Sequence, residues 1–481
     1  MTEAFTSYEG TTINSGEFSG LPCKVAARRI AEWMESHGIG VGKINYRLRD
    51  WLVSRQRYWG TPIPIIHCKE CGEVPVPQEQ LPVLLPPVEN YKPNSDGRSP
   101  LASVVDFVNT KCPKCFGVAE RETDTMAGSV DSSWYFLRFT SPQEQSEAWN
   151  RQAADYWMGV DTYIGGREHA VGHLLYARFF TKVFHDAGLI GVDEPFHTLK
   201  NQGMLLGLTA VEKETNHPIK PEELTRFGPD QIEYQWLKMS KSKGNSVTPD
   251  DMADKYGADA LRLYVLFTAP FEDTIQWNEE AMNGTFRFLN RVWDVISEIA
   301  GAYQSDWFKR IGEATSPEER NLRRRTHQAI RKISEDIAAF RFNTAVSSLM
   351  IFSDVLRKFV QASGTNSPAA HEAAACFVKL LSPLAPHIAD ELWEKLKNNG
   401  RFLYHETWPV SDAAVAAEDE IILIVQVNGK LRDRVTLPAA SDAKVCEMSA
   451  LGSERVQAEI AGKEIKKIVV IPGKLVNIVV A

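Results

Sequence analysis

The stretch Lys238-Met239-Ser240-Lys241-Ser242-Lys243-Gly244-Asn245 decides how the rest of the chain is read. It places three lysines within six residues, separated by small or flexible side chains. The Gly-Asn pair that follows lets the backbone turn sharply. Lysine carries a compact, mobile point charge, so such a loop can gather ammonium groups around a polyphosphate as charge builds on its oxygens. A generic lysine run would equally suit a solvated loop.

The spelling KMSKS followed by GN resembles the signature loop of class I aminoacyl-tRNA synthetases. That resemblance implies a loop that stabilises the transition state in which an amino acid attacks the α-phosphate of ATP and pyrophosphate leaves. It implies ATP with Mg2+, contacts from Lys238, Met239, Ser240, Lys241 and Ser242, and catalytic roles for Lys238 and Lys241.

Just downstream, Thr248-Pro249-Asp250-Asp251 reads as an N-cap, a proline at the first helical position and an acidic first turn. The lysine loop is thus expected to sit against a helix N-terminus, which also favours phosphate. Upstream, from about residue 120, helix and short apolar strand alternate, the pattern of a parallel α/β sheet. Val160 to Gly166 reads as strand and turn, and Arg167 to Tyr176 as the start of a helix. His169 and His173, four apart, would share a face of it beside Glu168. The zincin spelling is absent, so these are not read as metal ligands.

The run Tyr163-Ile164-Gly165-Gly166-Arg167-Glu168-His169-Ala170-Val171-Gly172-His173 resembles the leucyl-tRNA synthetase family. So does Tyr46 to Gly60, with four arginines among aromatics, which resembles the segment re-entering that family's catalytic domain after its editing insertion. The resemblance implies that Ser132, Tyr135, Tyr163 and His173 line a leucyl-adenylate pocket. It further implies that Glu168, His169 and Gln202 bind ATP. A branched aliphatic substrate offers only shape and burial, worth about 1–3 kcal/mol per methylene-sized difference, so such enzymes need editing.

Between these segments stand Cys68-Lys69-Glu70-Cys71 and Cys112-Pro113-Lys114-Cys115. Two such pairs suit a tetrahedral structural zinc site, closed to catalysis because no position stays open. The intervening segment must form its own lobe, stiffened by Pro75, Pro77, Pro82, Pro86, Pro87, Pro93 and Pro100.

From about 280 to 400 the periodicity is helical, with Leu322, Ile330, Ile333, Ile337 and Phe340 at near-helical spacing. Arg320, Arg323, Arg324, Arg325, Arg331 and Lys332 share that element, as a solvated face or an RNA contact. Pro383 and Pro386 should break a helix. After an acidic linker over 411–419, Asn428-Gly429 and Pro472-Gly473-Lys474 mark two hairpins with a helix between, resembling the family's small tRNA-binding C-terminal domain.

The chain has 481 residues, 43% hydrophobic and 24% charged, as expected of a globular protein of about three domains on length alone. No apolar run nears the ~20 residues that span a bilayer. The start MTEAFTSYEG lacks a signal peptide's basic and apolar regions, so a cytoplasmic protein without a membrane partner is expected. A net charge of −8 requires any RNA contact to be locally basic.

These readings add up to a multidomain α/β protein. The expected parts are an editing remnant (1–45), a partial class I Rossmann-like catalytic core (46–66 and 120–245), and a zinc-ribbon-like lobe (67–119). A stem-contact fold (246–280), an α-helical anticodon-binding bundle (281–410) and a C-terminal α/β domain (420–481) follow. The family's other signature, His-x-Gly-His (the HIGH motif), is not found. Ala170-Val171-Gly172-His173 resembles it in letters but follows the SRQRYWG run, where the family has a different helix. The expectation is a leucine-tRNA ligase half acting on leucine, ATP and tRNA(Leu), inactive alone and needing an N-terminal half chain with the HIGH motif and editing domain. The alternatives are a non-catalytic, synthetase-derived tRNA-binding module and a ligase for isoleucine, valine or methionine.

Overall fold

The computed structural model describes residues 9–44, 51–89, 91–92, 97–396, 402–417, 420–439 and 441–481. Tyr46 to Asp50 of the arginine-rich run, Pro93 of the lobe and residues 418–419 of the linker lie outside them. Two compact units form, Met1–Met158 with His173–Asp193, and Gly159–Gly172 with Glu194–Ala481. No helix among the described residues is long and apolar enough to cross a membrane.

In the first unit, α1 (Cys23–Ser36) ends where Gly38 takes a left-handed φ of +67°. Next comes a sheet of β1 (Ile65–Cys68), β2 (Gly72–Pro75), β3 (Asn109–Lys111) and β4 (Val118–Arg121), in the order β2-β1-β4-β3 and antiparallel throughout. It is two hairpins side by side, each carrying one Cys-x-x-Cys pair at its tip. Ile66, Val74, Val76 and Ala119 form its small core. The proline-rich segment packs as a satellite, where Leu101 and Phe107 enclose Tyr58, whose hydroxyl donates to the Pro86 carbonyl at 2.9 Å. The SRQRYWG run is zipped to Thr125 and Met126 by antiparallel pairing of Ser54 and Arg55. Helix α2 (His173–Asp186) buries Leu174, Ala177 and Thr181, and Trp51 stacks on its Tyr176 at 4.3 Å.

The second unit opens with β5 (Tyr163–Ile164) and β6 (Leu199–Lys200), a parallel pair of two residues each. A three-stranded sheet follows from β7 (Leu205–Glu212), β8 (Ile232–Lys238) and β9 (Ile275–Gln276), in the order β8-β7-β9. Strand β8, which runs straight into the lysine loop, is antiparallel to β7, whereas β9 is parallel to it. The expected parallel alternation therefore holds for β5–β6 and β7–β9 only. The 19 residues between β7 and β8 form no α-helix, only the short 3-10 turns Pro221–Arg226 and Pro229–Gln231, and bring the chain back antiparallel.

A helical bundle follows, built of α3 (Pro249–Tyr256), α4 (Ala258–Phe267), α5 (Glu279–Ala300), α6 (Pro317–Ala338), α7 (Phe342–Ser363), α8 (Pro368–Leu381) and α9 (Pro386–Lys395). Their caps are written locally. Thr248 caps α3 ahead of Pro249, Asn278 caps α5, and Ser316 with Glu319 forms a capping box on α6. Helix α8 is buried nearly all round, and its alanines let neighbouring helices approach closely. Phe340 is not the continuing helical residue that its spacing suggests. Helix α6 ends at Ala338, and Phe340 turns the chain at φ +58°, packing with Phe271 and Phe342.

Residues Asp259 and Arg262, one turn apart on α4, grip the Leu381-to-Pro386 break from both sides. Arg262 donates to the carbonyls of Pro383 and Leu384, beyond the α8 C-terminus. Asp259 accepts from the Ile388 N–H at the α9 N-terminus and from His387 Nδ1, at 2.7 and 2.8 Å. Each charge matches the dipole of the helix end it meets.

Residues 420–481 fold as β10 (Glu420–Val427), β11 (Lys430–Pro438), α10 (Ala443–Gly452), α11 (Glu454–Ile460), β12 (Ile465–Ile471) and β13 (Leu475–Val480). The sheet order is β11-β10-β13-β12, with β10 and β13 parallel. Both expected hairpins form, with Asn428, Gly429 and Gly473 at positive φ. Two helices rather than one lie between them, because Ser453 caps a new helix after Gly452.

Candidate active site and metal centre

The lysine loop is held from behind by one carboxamide. Asn245 Oδ1 accepts the Ser240 N–H at 2.9 Å, and its Nδ2 donates to Thr209 Oγ1 at 2.6 Å. The loop lies so close to β7 that a β-carbon at Gly207 would sit 2.4 Å from the Asn245 carbonyl oxygen. Gly244 closes the turn at φ +66°. From sequence alone Asn245 reads only as a turn residue. Its role as the loop's lock shows only once β7 is in place.

This anchoring leaves the charges outward. Lys238 Nζ donates to Glu168 Oε1 at 2.6 Å, and that hydrogen bond, with help from the Glu168 backbone N–H, holds the Glu168 carboxyl below its ordinary range. Lys241 and Lys243 form no ion pair among the described residues. The loop therefore presents one neutralised and two free ammonium groups, followed by the capped N-terminus of α3.

Glu168 and His169 sit on a short turn, Arg167–His169, after β5, where Asn201 Nδ2 donates to the Gly165 carbonyl at 2.8 Å. Gln202 lines a cavity of about 140 Å³ with Gly203, Met204, Leu205 and Phe271. Tyr163 stacks on Phe196 at 3.8 Å. The helix expected from Arg167 starts only at His173. Gly172 and the turn intervene, so His169 and His173 do not share a helix face. Tyr163, Glu168, His169, Gln202 and the lysine loop thus belong to the second unit. Ser132, Tyr135 and His173 belong to the first, where the Tyr135 and His173 rings lie 6.2 Å apart and Ser132 Oγ donates to the Ser129 carbonyl.

Cys68, Cys71, Cys112 and Cys115 converge with all four sulfurs within 4.8 Å of one another. Tetrahedral Zn–S bonds of ~2.3 Å place sulfurs ~3.8 Å apart, so the set fits that ion. The turns favour a thiolate at Cys112, whereas hydrogen bonding to Cys115 pushes the Cys71 thiol up to about 12. The Lys114 N–H points at Cys112 Sγ, 3.4 Å away, and the Cys112 thiol is drawn down to about 7, chiefly by the Cys115 backbone N–H. Each knuckle ends in a left-handed residue, Gly72 at φ +73° and Phe116 at φ +62°. A phenylalanine there costs roughly 1–2 kcal/mol, a strain that an ion gripping the turn would offset.

The bundle uses much of the cationic cluster on α6 internally. Arg323 pairs with buried Glu372 at 2.9 Å, and Lys332 with buried Asp336 at 2.7 Å. Arg324 and Arg325 bond Asn321 and Gln328 one turn away. A solvated or structural role thus accounts for these four, while Arg331 stays exposed.

Comparison with known proteins agrees with this geometry. The model of tRNA synthetases class I (I, L, M and V) matches residues 30–169 and 232–278, and that of the anticodon-binding domain of tRNA ligase matches 319–447. A leucine–tRNA ligase of Geotalea uraniireducens is 46% identical over 486 residues, covering 100% of this chain and 55% of that relative. One of Gloeobacter violaceus is 44% identical over 98% of this chain and 55% of its own length. The ternary complex of Agrobacterium radiobacter K84 agnB2 LeuRS with tRNA and LeuAMS superposes with a TM-score of 0.77 at 32% identity, over 98% of this chain and 56% of that one. The chain thus spans about 55% of the length of the curated relatives it matches. In motifs, fold and sequence the chain is thus similar, over its full length, to the C-terminal half of leucyl-tRNA ligases.

Proposed function

We propose that this chain supplies the KMSKS side of a leucine-tRNA ligase, which converts ATP, L-leucine and tRNA(Leu) to leucyl-tRNA(Leu), AMP and diphosphate. The carrying observation is the lysine loop, locked from behind by Asn245, with Lys241 and Lys243 in no ion pair among the described residues. These two ammonium groups neutralise the ATP phosphates as pyrophosphate departs, beside the N-terminus of α3. Glu168 orients Lys238 in the same cluster, with His169 and Gln202 toward the nucleotide. By the family resemblance, leucine and adenylate contacts fall to Tyr163 in the second unit and to Ser132, Tyr135 and His173 in the first. Mg2+ accompanies ATP as its counter-ion.

Catalysis also calls for the HIGH motif and the editing domain, which belong to the part of the relatives' length that this chain does not span. The four cysteines hold a structural zinc, which when bound clamps the two hairpin tips and offers no open coordination position. Tying the tips, Cys68, Cys71, Cys112 and Cys115 keep the lobe on the SRQRYWG side of the first unit.

Growth of a host depleted of its own leucine-tRNA ligase tests this. Co-expressing this chain with the N-terminal half of a leucyl enzyme should restore growth, and Lys241→Ala should abolish it. Restored growth that is indifferent to Lys241→Ala would leave only the non-catalytic tRNA-binding module.

A further inference from the structure

The hairpin of β7 and β8 has two unlike faces. Gly207 and Thr209 point to the face that the lysine loop covers. The register pairs Leu208 with Trp236, Ala210 with Tyr234 and Leu206 with Lys238, so these side chains share the opposite face. There Tyr234 is 60% exposed, Leu208 53% and Trp236 37%. Neither ring stacks on another aromatic among the described residues.

We propose that this face is a stacking surface for the unpaired 3′ nucleotides of tRNA, leading them toward Lys238. The inference rests on the tRNA-ligase reading above and adds to it a binding surface outside the lysine loop. Rings two apart on a strand are spaced by about 6.8 Å, within the stretch of a single nucleotide strand. Bases of any sequence stack on such rings, which suits an end to be guided rather than read. Charge is complementary along one direction only. Lys241 and Lys243, with Lys238 paired to Glu168, lie at the loop end of the stripe, Glu212 lies at the far end, and alternation puts the exposed Glu233 on the other face. Two rings and one leucine fall well short of the roughly 800 Å² per partner of a stable protein interface, which argues against a protein occupant.

The test measures affinity of the purified chain for a leucine tRNA transcript and for the same transcript trimmed to its last base pair. Intact transcript should bind about tenfold more tightly, the order of one base–aromatic stack. Tyr234→Ala combined with Trp236→Ala should remove that difference while leaving trimmed-transcript affinity and the melting temperature unchanged. Tyr234→Phe with Trp236→Phe should restore it. Equal affinity for both transcripts, or a difference that survives the alanine pair, would overturn the stacking surface and leave the tRNA-ligase reading standing. Loss of all transcript binding by the unaltered chain would overturn the tRNA partner itself, and this inference with it. Self-association that the alanine pair relieves, with tRNA affinity unchanged, would assign the face to a second copy of the chain.

Discussion

Lys238 Nζ and Glu168 Oε1 lie 2.6 Å apart although 70 residues separate them in sequence. The pair ties the turn after β5 to the strand that launches the lysine loop. Both side chains are about half exposed, so the contact adds little to stability, and its value lies in aiming an ammonium group. Glu168→Gln should leave the melting temperature within about 2 °C. Leucine-dependent ATP–pyrophosphate exchange by the complemented enzyme should fall at least about tenfold. Full exchange activity in the variant would refute the aiming role. Because the Glu168 carboxyl is depressed, the pair persists above its folded pKa and is lost as pH falls through that value, below the ordinary 4.5.

The cysteine cluster makes a compositional prediction. Chain purified without chelator should carry one zinc per molecule by elemental analysis. Cys112→Ser should lower that content and speed amide exchange over residues 65–121, while exchange over α6 to α8 stays unchanged. A metal-free chain with a fully protected lobe, after refolding with zinc, would show that thiols alone suffice.

In the bundle, Glu372 is buried between α6 and α8 and accepts from Arg323 at 2.9 Å and from His327 Nε2 at 3.2 Å. On the other side of that ring, His327 Nδ1 accepts the Asp412 N–H at 2.9 Å, which fixes the tautomer that donates from Nε2. Removing the carboxylate strands two donors, so Glu372→Ala should cost about 3 kcal/mol in urea unfolding. A cost below roughly 0.5 kcal/mol, the usual scale of exposed pairs, would show that the network is peripheral.

His371 lies fully buried on α8, where neither ring nitrogen finds a well-formed hydrogen-bond partner among the described residues. Burial lowers its pKa against a counter-pull from the Thr365 backbone. The unfolded chain takes up this proton near 6.5 and the folded chain only at lower pH, so stability is present above 6.5 and declines as pH falls below it. Urea unfolding between pH 7.5 and 5.5 should show that decline, and His371→Met should flatten it. An equal slope in the variant would place the titration elsewhere.

Much of this molecule is legible in its letters because the decisive signals are local. Thr248 with Pro249, the Asn428-Gly429 hairpin, and the prolines that separate α8 from α9 act within a turn of themselves. The misread parts depend on distant chain. Nothing near His169 shows that helix α2 waits until His173, and nothing near β8 shows that its partner β7 runs antiparallel. Arg323 looks like an RNA contact until Glu372, 49 residues on, turns out to take it. In the candidate site the lysines could be named from sequence, whereas their fasteners, Asn245 on Thr209 and Lys238 on Glu168, are long-range contacts that spacing does not encode.

The most direct measurement is leucine-dependent ATP–pyrophosphate exchange with this chain alone, with the N-terminal half of a leucyl enzyme alone, and with the two mixed. We expect exchange only in the mixture and its loss with Lys241→Ala. Exchange by this chain alone would contradict the split-ligase account and return Ala170-Val171-Gly172-His173 to consideration as the missing signature. No exchange in a mixture shown to associate would contradict the catalytic role altogether.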